Sequence, residues 1–182
     1  MRHGCFPDRI KFRMKRSDKP ARREFLAAAA AGGLAGCATS HWRSLTPSEV
    51  QTLAAVADTL IPPDGDPGAA EAGVVVFIDR QLARRYRPRR ALYRDGLALL
   101  ERTAREQHGR AFAELPPGAR AALLSSWERG QGLQKEFFEL ALAHTMQGYY
   151  GSPRHGGNRN AASWRMLGVP NPPVRGRLPY GA

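Results

Sequence analysis

From residue 45 onward, apolar positions recur at helical spacing in five blocks separated by proline and glycine. Leu45-Thr46-Pro47-Ser48-Glu49-Val50 is a helix start. Thr46 can cap, Pro47 suits the first helical position, Glu49 completes a capping box, and Leu45 with Val50 is placed to form a hydrophobic staple. This helix carries Leu53, Val56, Ala57 and Leu60 on one face and stops at Pro62-Pro63. The next block, Ala69 to Tyr86, contains Val74-Val75-Val76-Phe77-Ile78, which could pass for a buried strand. Val74, Phe77, Ile78 and Leu82 share a helical face, however, and Asp79, Arg80 and Arg84 fall away from it, so period and length predict helix. A third helix runs from Arg89 to His108, with Leu92, Tyr93, Leu97, Leu100 and Ala104 inward and Gly109 as its stop. Leu115-Pro116-Pro117 opens a fourth, through Leu123, Leu124 and Trp127 to Gly130. A fifth, Leu133 to Gln147, has Phe137, Leu140, Ala141 and His144 on one side and Phe138, Leu142 and Thr145 on another. Apolar residues on two faces predict a central position for it.

Five amphipathic helices with short joints predict a single all-α domain over residues 45–182. Residues 45–147 form its helical core, and residues 148–182 an irregular Gly/Pro/aromatic-rich loop and tail. A short helix around Ala161–Leu167, carrying Trp164 and Met166, is expected within that segment, and no internal repeat is visible. Asp64-Gly65-Asp66-Pro67-Gly68 lacks the further ligands and distal Glu of a calcium loop and reads as a turn.

Composition narrows the class. Two cysteines in 182 residues exclude a disulfide scaffold. No apolar run reaches the ~18–20 residues of a membrane span, which excludes a multi-span protein. The formal net charge of +12 is unevenly placed: residues 1–23 carry nine Lys or Arg against two Asp, whereas from Ala38 onward there are 19 basic and 13 acidic residues. Half of the net charge thus belongs to a leader of 37 residues, and the chain is not expected to bind nucleic acid.

Residues 1–37 have the three parts of an export signal: a basic stretch, a short Ala/Gly-rich apolar run from Leu26 to Leu34, and a small-residue site. Arg22-Arg23-Glu24-Phe25-Leu26 resembles the twin-arginine signal, with Arg22, Arg23, Phe25 and Leu26 as the residues that carry the likeness. Leu34-Ala35-Gly36-Cys37 resembles the lipobox of bacterial lipoproteins, which implies a lipidated Cys37, a periplasmic location and a membrane anchor. Cleavage after Ala38 is the alternative, since Gly36-Cys37-Ala38 also fits a small-x-Ala site. Met14 is an alternative start that would give a leader of more usual length, and residues 38–44 form a short linker.

The chain offers no catalytic, cofactor or metal motif. Gly-x-Ser-x-Gly, His-Glu-x-x-His, Cys-x-x-Cys-His and Gly-x-Gly-x-x-Gly are all missing, and His155-Gly156-Gly157 only superficially resembles an oxyanion loop. His144, on an apolar helix face, is expected to be a hydrogen-bonded structural histidine rather than a base. The stretch Arg84–Arg94 reads most simply as a solvated helix end, with contact to a partner or to anionic headgroups as the alternative. Tyr149, Tyr150, His155, Gly156, Gly157, Asn158 and Trp164 bring aromatic rings beside glycines, which suits an interface that approaches a surface closely. The competing reading is a well-packed loop over the helical core.

Several groups of residues together resemble the gluconate 2-dehydrogenase subunit 3 family. They are Leu45-Thr46-Pro47-Ser48-Glu49, Ala57-Asp58-Thr59-Leu60-Ile61-Pro62, Ala72-Gly73-Val74 through Phe77-Ile78-Asp79, and Phe137-Phe138. His144-Thr145-Met146 through Gly148-Tyr149-Tyr150-Gly151, Pro153-Arg154-His155-Gly156-Gly157-Asn158 and Trp164-Arg165-Met166-Leu167-Gly168 complete the likeness. The resemblance implies a non-catalytic small subunit of a membrane-associated, FAD-dependent sugar or polyol dehydrogenase. In such complexes the large subunit holds FAD and oxidises the substrate, and a cytochrome c subunit commonly carries electrons onward. The small subunit takes the folded large subunit through the twin-arginine pathway and stays bound to it. On this basis the loop from Tyr149 to Asn158, with Trp164, is expected to dock on the flavoprotein. A stand-alone helical lipoprotein without a dehydrogenase partner is the alternative, and an enzyme with an undetected site is a third.

Overall fold

A computed structural model describes residues 42–170, so the leader residues Arg22, Arg23, Phe25, Leu26 and Cys37 lie outside the described residues. Among the described residues the fold is all-α, with six α-helices and no strand. These are α1 (Pro47–Leu60), α2 (Val74–Leu82), α3 (Arg90–His108), α4 (Pro117–Glu128), α5 (Leu133–Tyr150) and α6 (Ala162–Met166). Short 3₁₀ turns at Arg87–Arg89, Phe112–Glu114, Pro153–His155 and Arg159–Ala161 join them. None of the helices is long and apolar enough to cross a membrane.

The start of α1 has the chemistry its sequence predicts. Thr46 Oγ1 accepts from the Glu49 N–H at 3.3 Å, and the Glu49 carboxylate accepts from the Thr46 N–H at 2.7 Å. The expected second helix is shorter than its apolar run. Residues 69–73 form turns that bury Ala69 and Ala72, and Gly73 sits at φ +82°, a left-handed conformation that a β-carbon would strain. Asp79 is a second departure: instead of falling away from the core it is buried. Its carboxylate accepts from the backbone N–H groups of Arg43, Ser44 and Leu45 at 2.8–3.1 Å, and so clamps the segment leading into α1 against α2. A buried carboxylate is tolerated here because three fixed donors replace its water.

Helix α5 is central, as its two apolar faces predict, and touches α1, α2, α3 and α4. It packs tightly against α3 at Gly96, where a β-carbon would overlap the Phe137 ring. Phe137 stands edge-on to both Tyr93 and Trp127, with ring centres 5.8 Å apart in each pair. Phe138 and Thr145 are also buried, but Leu142, expected inward with them, is exposed. Among the described residues, 42–170 belong to one compact unit, and every buried core side chain comes from Leu45 or later. This unit therefore carries its own core.

Candidate functional site

Helix α5 runs through Gly148, Tyr149 and Tyr150, three residues beyond its expected end. The carbonyls at a helix C-terminus need partners from elsewhere. Here residues 158–164 supply them. Ser163 Oγ donates to the Tyr149 carbonyl at 2.6 Å, Trp164 Nε1 to the Tyr150 carbonyl at 2.9 Å, and Asn158 Nδ2 to the Gly151 carbonyl at 2.9 Å. Asn158 Oδ1 in turn accepts from the Ser163 N–H at 3.0 Å, so one buried amide joins both strands of the loop. Asn158, Asn160 and Ala161 all have positive φ, a backbone path that this network holds in place.

Close packing explains the glycines. A β-carbon on Gly148 would lie 2.9 Å from the Phe77 ring, and one on Gly157 would overlap the Gly148 backbone. This region is tied to the segment before α2 as well. The Arg159 N–H donates to the Ala72 carbonyl at 2.8 Å, and the Tyr149 hydroxyl to the Pro67 carbonyl at 2.8 Å. Burial, with the neighbouring Tyr150, Asp66 and Asp64, raises the pKa of Tyr149 and keeps it a donor.

The candidate interface residues thus divide. Tyr149, Gly157, Asn158 and Trp164 are buried and face into the domain, and Gly156 is half-buried. Tyr150 and His155 stand exposed; Tyr150 packs edge-on against Tyr149, and His155 Nε2 accepts from Arg154 Nε at 3.1 Å.

Neither sequence reading of the loop anticipates a further set of exposed apolar side chains. Leu142, Met146 and Tyr150 follow one another at every fourth residue of α5, and Met166, Leu167 and Val169 lie at the end of α6 and just after it. Each is 36–58% exposed, and these six are all the exposed large apolar side chains among the described residues. The spacing of Leu142, Met146 and Tyr150 was available as a signal, since residues four apart share a helix face.

His144 faces inward from the same helix. Its Nδ1 lies 3.0 Å from the Tyr93 hydroxyl, and its ring stacks on Tyr86 at 4.1 Å. Burial, helped by the positive charge of Arg89, lowers its pKa to about 4, so the ring is neutral and fits the expected structural role. A groove of about 400 Å³ between α1 and α3 carries Glu49, Thr52, Arg94, Glu101 and Arg105. Within it Thr52 Oγ1 donates to Glu101 at 2.7 Å, and Arg105 lies 3.7 Å from the same carboxylate. Among the described residues no three His, Cys, Asp or Glu converge to hold a metal ion.

The family model for gluconate 2-dehydrogenase subunit 3 matches residues 47–170. No curated protein and no solved structure matches the chain.

Proposed function

Because this chain belongs to the gluconate 2-dehydrogenase subunit 3 family, we propose that its accessory role is to escort a folded, FAD-containing sugar or alcohol dehydrogenase subunit through the twin-arginine pathway and to remain bound to it in the periplasm. The observation that carries the docking part is the exposed apolar stripe of α5, together with the exposed apolar side chains at the end of α6. Exposed large apolar side chains that gather in one stripe often mark a surface that something covers. In this reading Leu142, Met146 and Tyr150 form the centre of the contact, with Met166, Leu167, Val169 and His155 beside them. The buried residues of the loop act as the rigid base that holds this face in shape. Arg22 and Arg23 would present the pair to the export receptor, and an acylated Cys37 would keep it at the membrane. A cytochrome c subunit is the expected next electron carrier. FAD belongs to the partner in this reading.

The test is a pull-down of tagged chain from membranes, with the flavin content of the recovered material measured. Met146→Asp places a charge in the contact, and loss of a hot-spot side chain lowers affinity roughly 30- to 1,000-fold. Recovery of the flavoprotein should fall accordingly while the melting temperature of the small subunit holds, since Met146 is exposed. Unchanged recovery would remove this face from the interface, and absence of any flavoprotein from the wild-type pull-down would leave a stand-alone helical lipoprotein. Mass spectrometry of the same material reads the N-terminus, where an unmodified Thr39 would replace lipidation by ordinary cleavage.

A further inference from the structure

We propose that the arginine face at the junction of α2 and α3 docks on the anionic phospholipid headgroups of a membrane surface. Between Arg80 and Arg94 the chain has seven arginines and no carboxylate. Pro88 and the 3₁₀ turn at Arg87–Arg89 fold this run into a tight corner instead of spreading it around one long helix. Arg84, Arg85, Arg87, Arg89, Arg90 and Arg94 are all exposed. Among the described residues, Arg94 alone of these six has a carboxylate oxygen within salt-bridge distance, that of Asp95 at 2.9 Å.

Arg90 and Arg94 have hydrogen-bond partners in the fold, but among the described residues Arg84, Arg85, Arg87 and Arg89 have no side-chain hydrogen bond that would explain the arrangement. Helix α3 begins with Arg90 directly after Arg89, and it has neither an acidic residue in its first turn nor a side-chain cap. Cations at a helix N-terminus oppose the helix dipole, so the corner weakens the helix that it opens. The same positive end and the neighbouring guanidinium groups favour an external anion. From Ala38 onward Lys135 is the one lysine among 19 basic residues, and the planar guanidinium suits two-point contact with phosphate oxygens.

A second observation selects a membrane over other anionic partners. The segment leading into α1 is held against this corner. Arg90 donates to the Arg43 carbonyl at 3.2 Å and to Ser44 Oγ at 2.8 Å, while Asp79 holds the N–H groups of the same residues. Cys37 precedes Arg43 by six residues, a reach of at most ~20 Å at ~3.3–3.6 Å per residue. An acyl anchor at Cys37, which belongs to the function proposed above, would therefore bring this face to the bilayer. A basic surface beside an acyl chain is the usual second signal for stable attachment.

The leaderless chain beginning at Ala38 keeps every buried core side chain of the described residues and lacks both Cys37 and the basic leader. It should sediment with vesicles of phosphatidylglycerol and phosphatidylcholine, but not with phosphatidylcholine alone, and should be released as salt rises from about 50 mM to above the physiological range. The combined change Arg84→Gln, Arg85→Gln and Arg87→Gln should weaken binding roughly 100-fold, at about fivefold per arginine, without changing the melting temperature. The matched change Arg102→Gln, Arg110→Gln and Arg129→Gln removes equal charge elsewhere and should cost much less. Equal losses in the two variants, or wild-type chain that ignores anionic vesicles at low salt, would overturn the proposal. So would absent vesicle binding together with poorer recovery of the flavoprotein by the first variant, which would make the corner a protein contact. The result is separable from the anchor reading: an unacylated N-terminus in cells would remove the tether and leave the vesicle measurement standing.

Discussion

Lowering the pH from 7 to 5 should destabilise this domain by about 2 kcal/mol through His144 alone. The folded structure keeps this ring neutral, with its pKa lowered to about 4 by burial and by Arg89. In the unfolded chain the same ring titrates near ~6.5. Between those two values the unfolded state binds a proton that the folded state refuses. Stability is therefore complete above ~6.5 and is lost as pH falls toward the folded pKa, with a limit of about 3 kcal/mol at ~1.4 kcal/mol per pKa unit. Protonation is resisted because the ring is stacked on Tyr86 and meets the Tyr93 hydroxyl, whose own pKa burial raises, so no nearby anion compensates the charge.

Urea unfolding of the leaderless chain at a series of pH values measures this directly. With a slope of ~1–2 kcal/mol per molar urea, the His144 contribution moves the midpoint by roughly 1–2 M between pH 7 and pH 5. His144→Phe separates it from all other titrating groups. That variant leaves the Tyr93 hydroxyl without its partner and loses ~1–3 kcal/mol at pH 7, where the wild-type ring is neutral in both states. Its pH dependence, however, should be shallower than that of the wild type by about 2 kcal/mol over the same interval. Parallel pH profiles for the two proteins would refute the argument, because they would mean that His144 binds its proton equally well folded and unfolded.

Asp79→Ala should lower the melting temperature and expose the segment before Leu45 to proteases, since it strips the acceptor from three backbone N–H groups; hydrogen bonds to a charged acceptor contribute ~1.5–3 kcal/mol each when counted singly. Trp164→Ala should cost the isolated chain ~3–5 kcal/mol by leaving a cavity and an unpaired Tyr150 carbonyl, whereas Tyr150→Ala, an exposed position, should stay within ~0.5 kcal/mol of wild type in the same melting experiment. Replacing Arg22 and Arg23 by Lys keeps charge but removes the guanidinium geometry, and cell fractionation should then find the flavoprotein retained in the cytoplasm.

What the sequence disclosed of the fold was local or periodic. The Thr46–Glu49 capping box, the Gly109 stop at φ +68° and the core faces of α1 and α3 are all decided by neighbours within a few turns. What it hid depends on distant parts of the chain. Asp79 reads as a solvent-facing position until the backbone of residues 43–45 arrives to fill its oxygens. Gly148-Tyr149-Tyr150-Gly151 reads as the start of an irregular loop because it has no helical period, yet α5 continues to Tyr150 and Asn158, Ser163 and Trp164 return to satisfy its last carbonyls. The apolar run from Ala69 conceals the turns before Val74, since hydrophobic period is blind to the positive φ that Gly73 adopts. Of the candidate interface, the aromatic-and-glycine character was visible, but the direction each side chain takes was not.

That direction changes where a partner should be sought. A loop rich in glycine and aromatic residues has two uses for the same composition, close packing inward or close approach outward. In this chain the inward use takes Tyr149, Gly157, Asn158 and Trp164, and each is fixed by a hydrogen bond or by contact with the end of α5. Outward approach is left to side chains that make no such bond: Leu142 and Met146 on α5, and Met166, Leu167 and Val169 at α6. Because the loop fastens α6 to the last turn of α5, these two outer surfaces keep a fixed relation without a partner present. A contact built this way loses little conformational entropy on association, which suits the escort role proposed above.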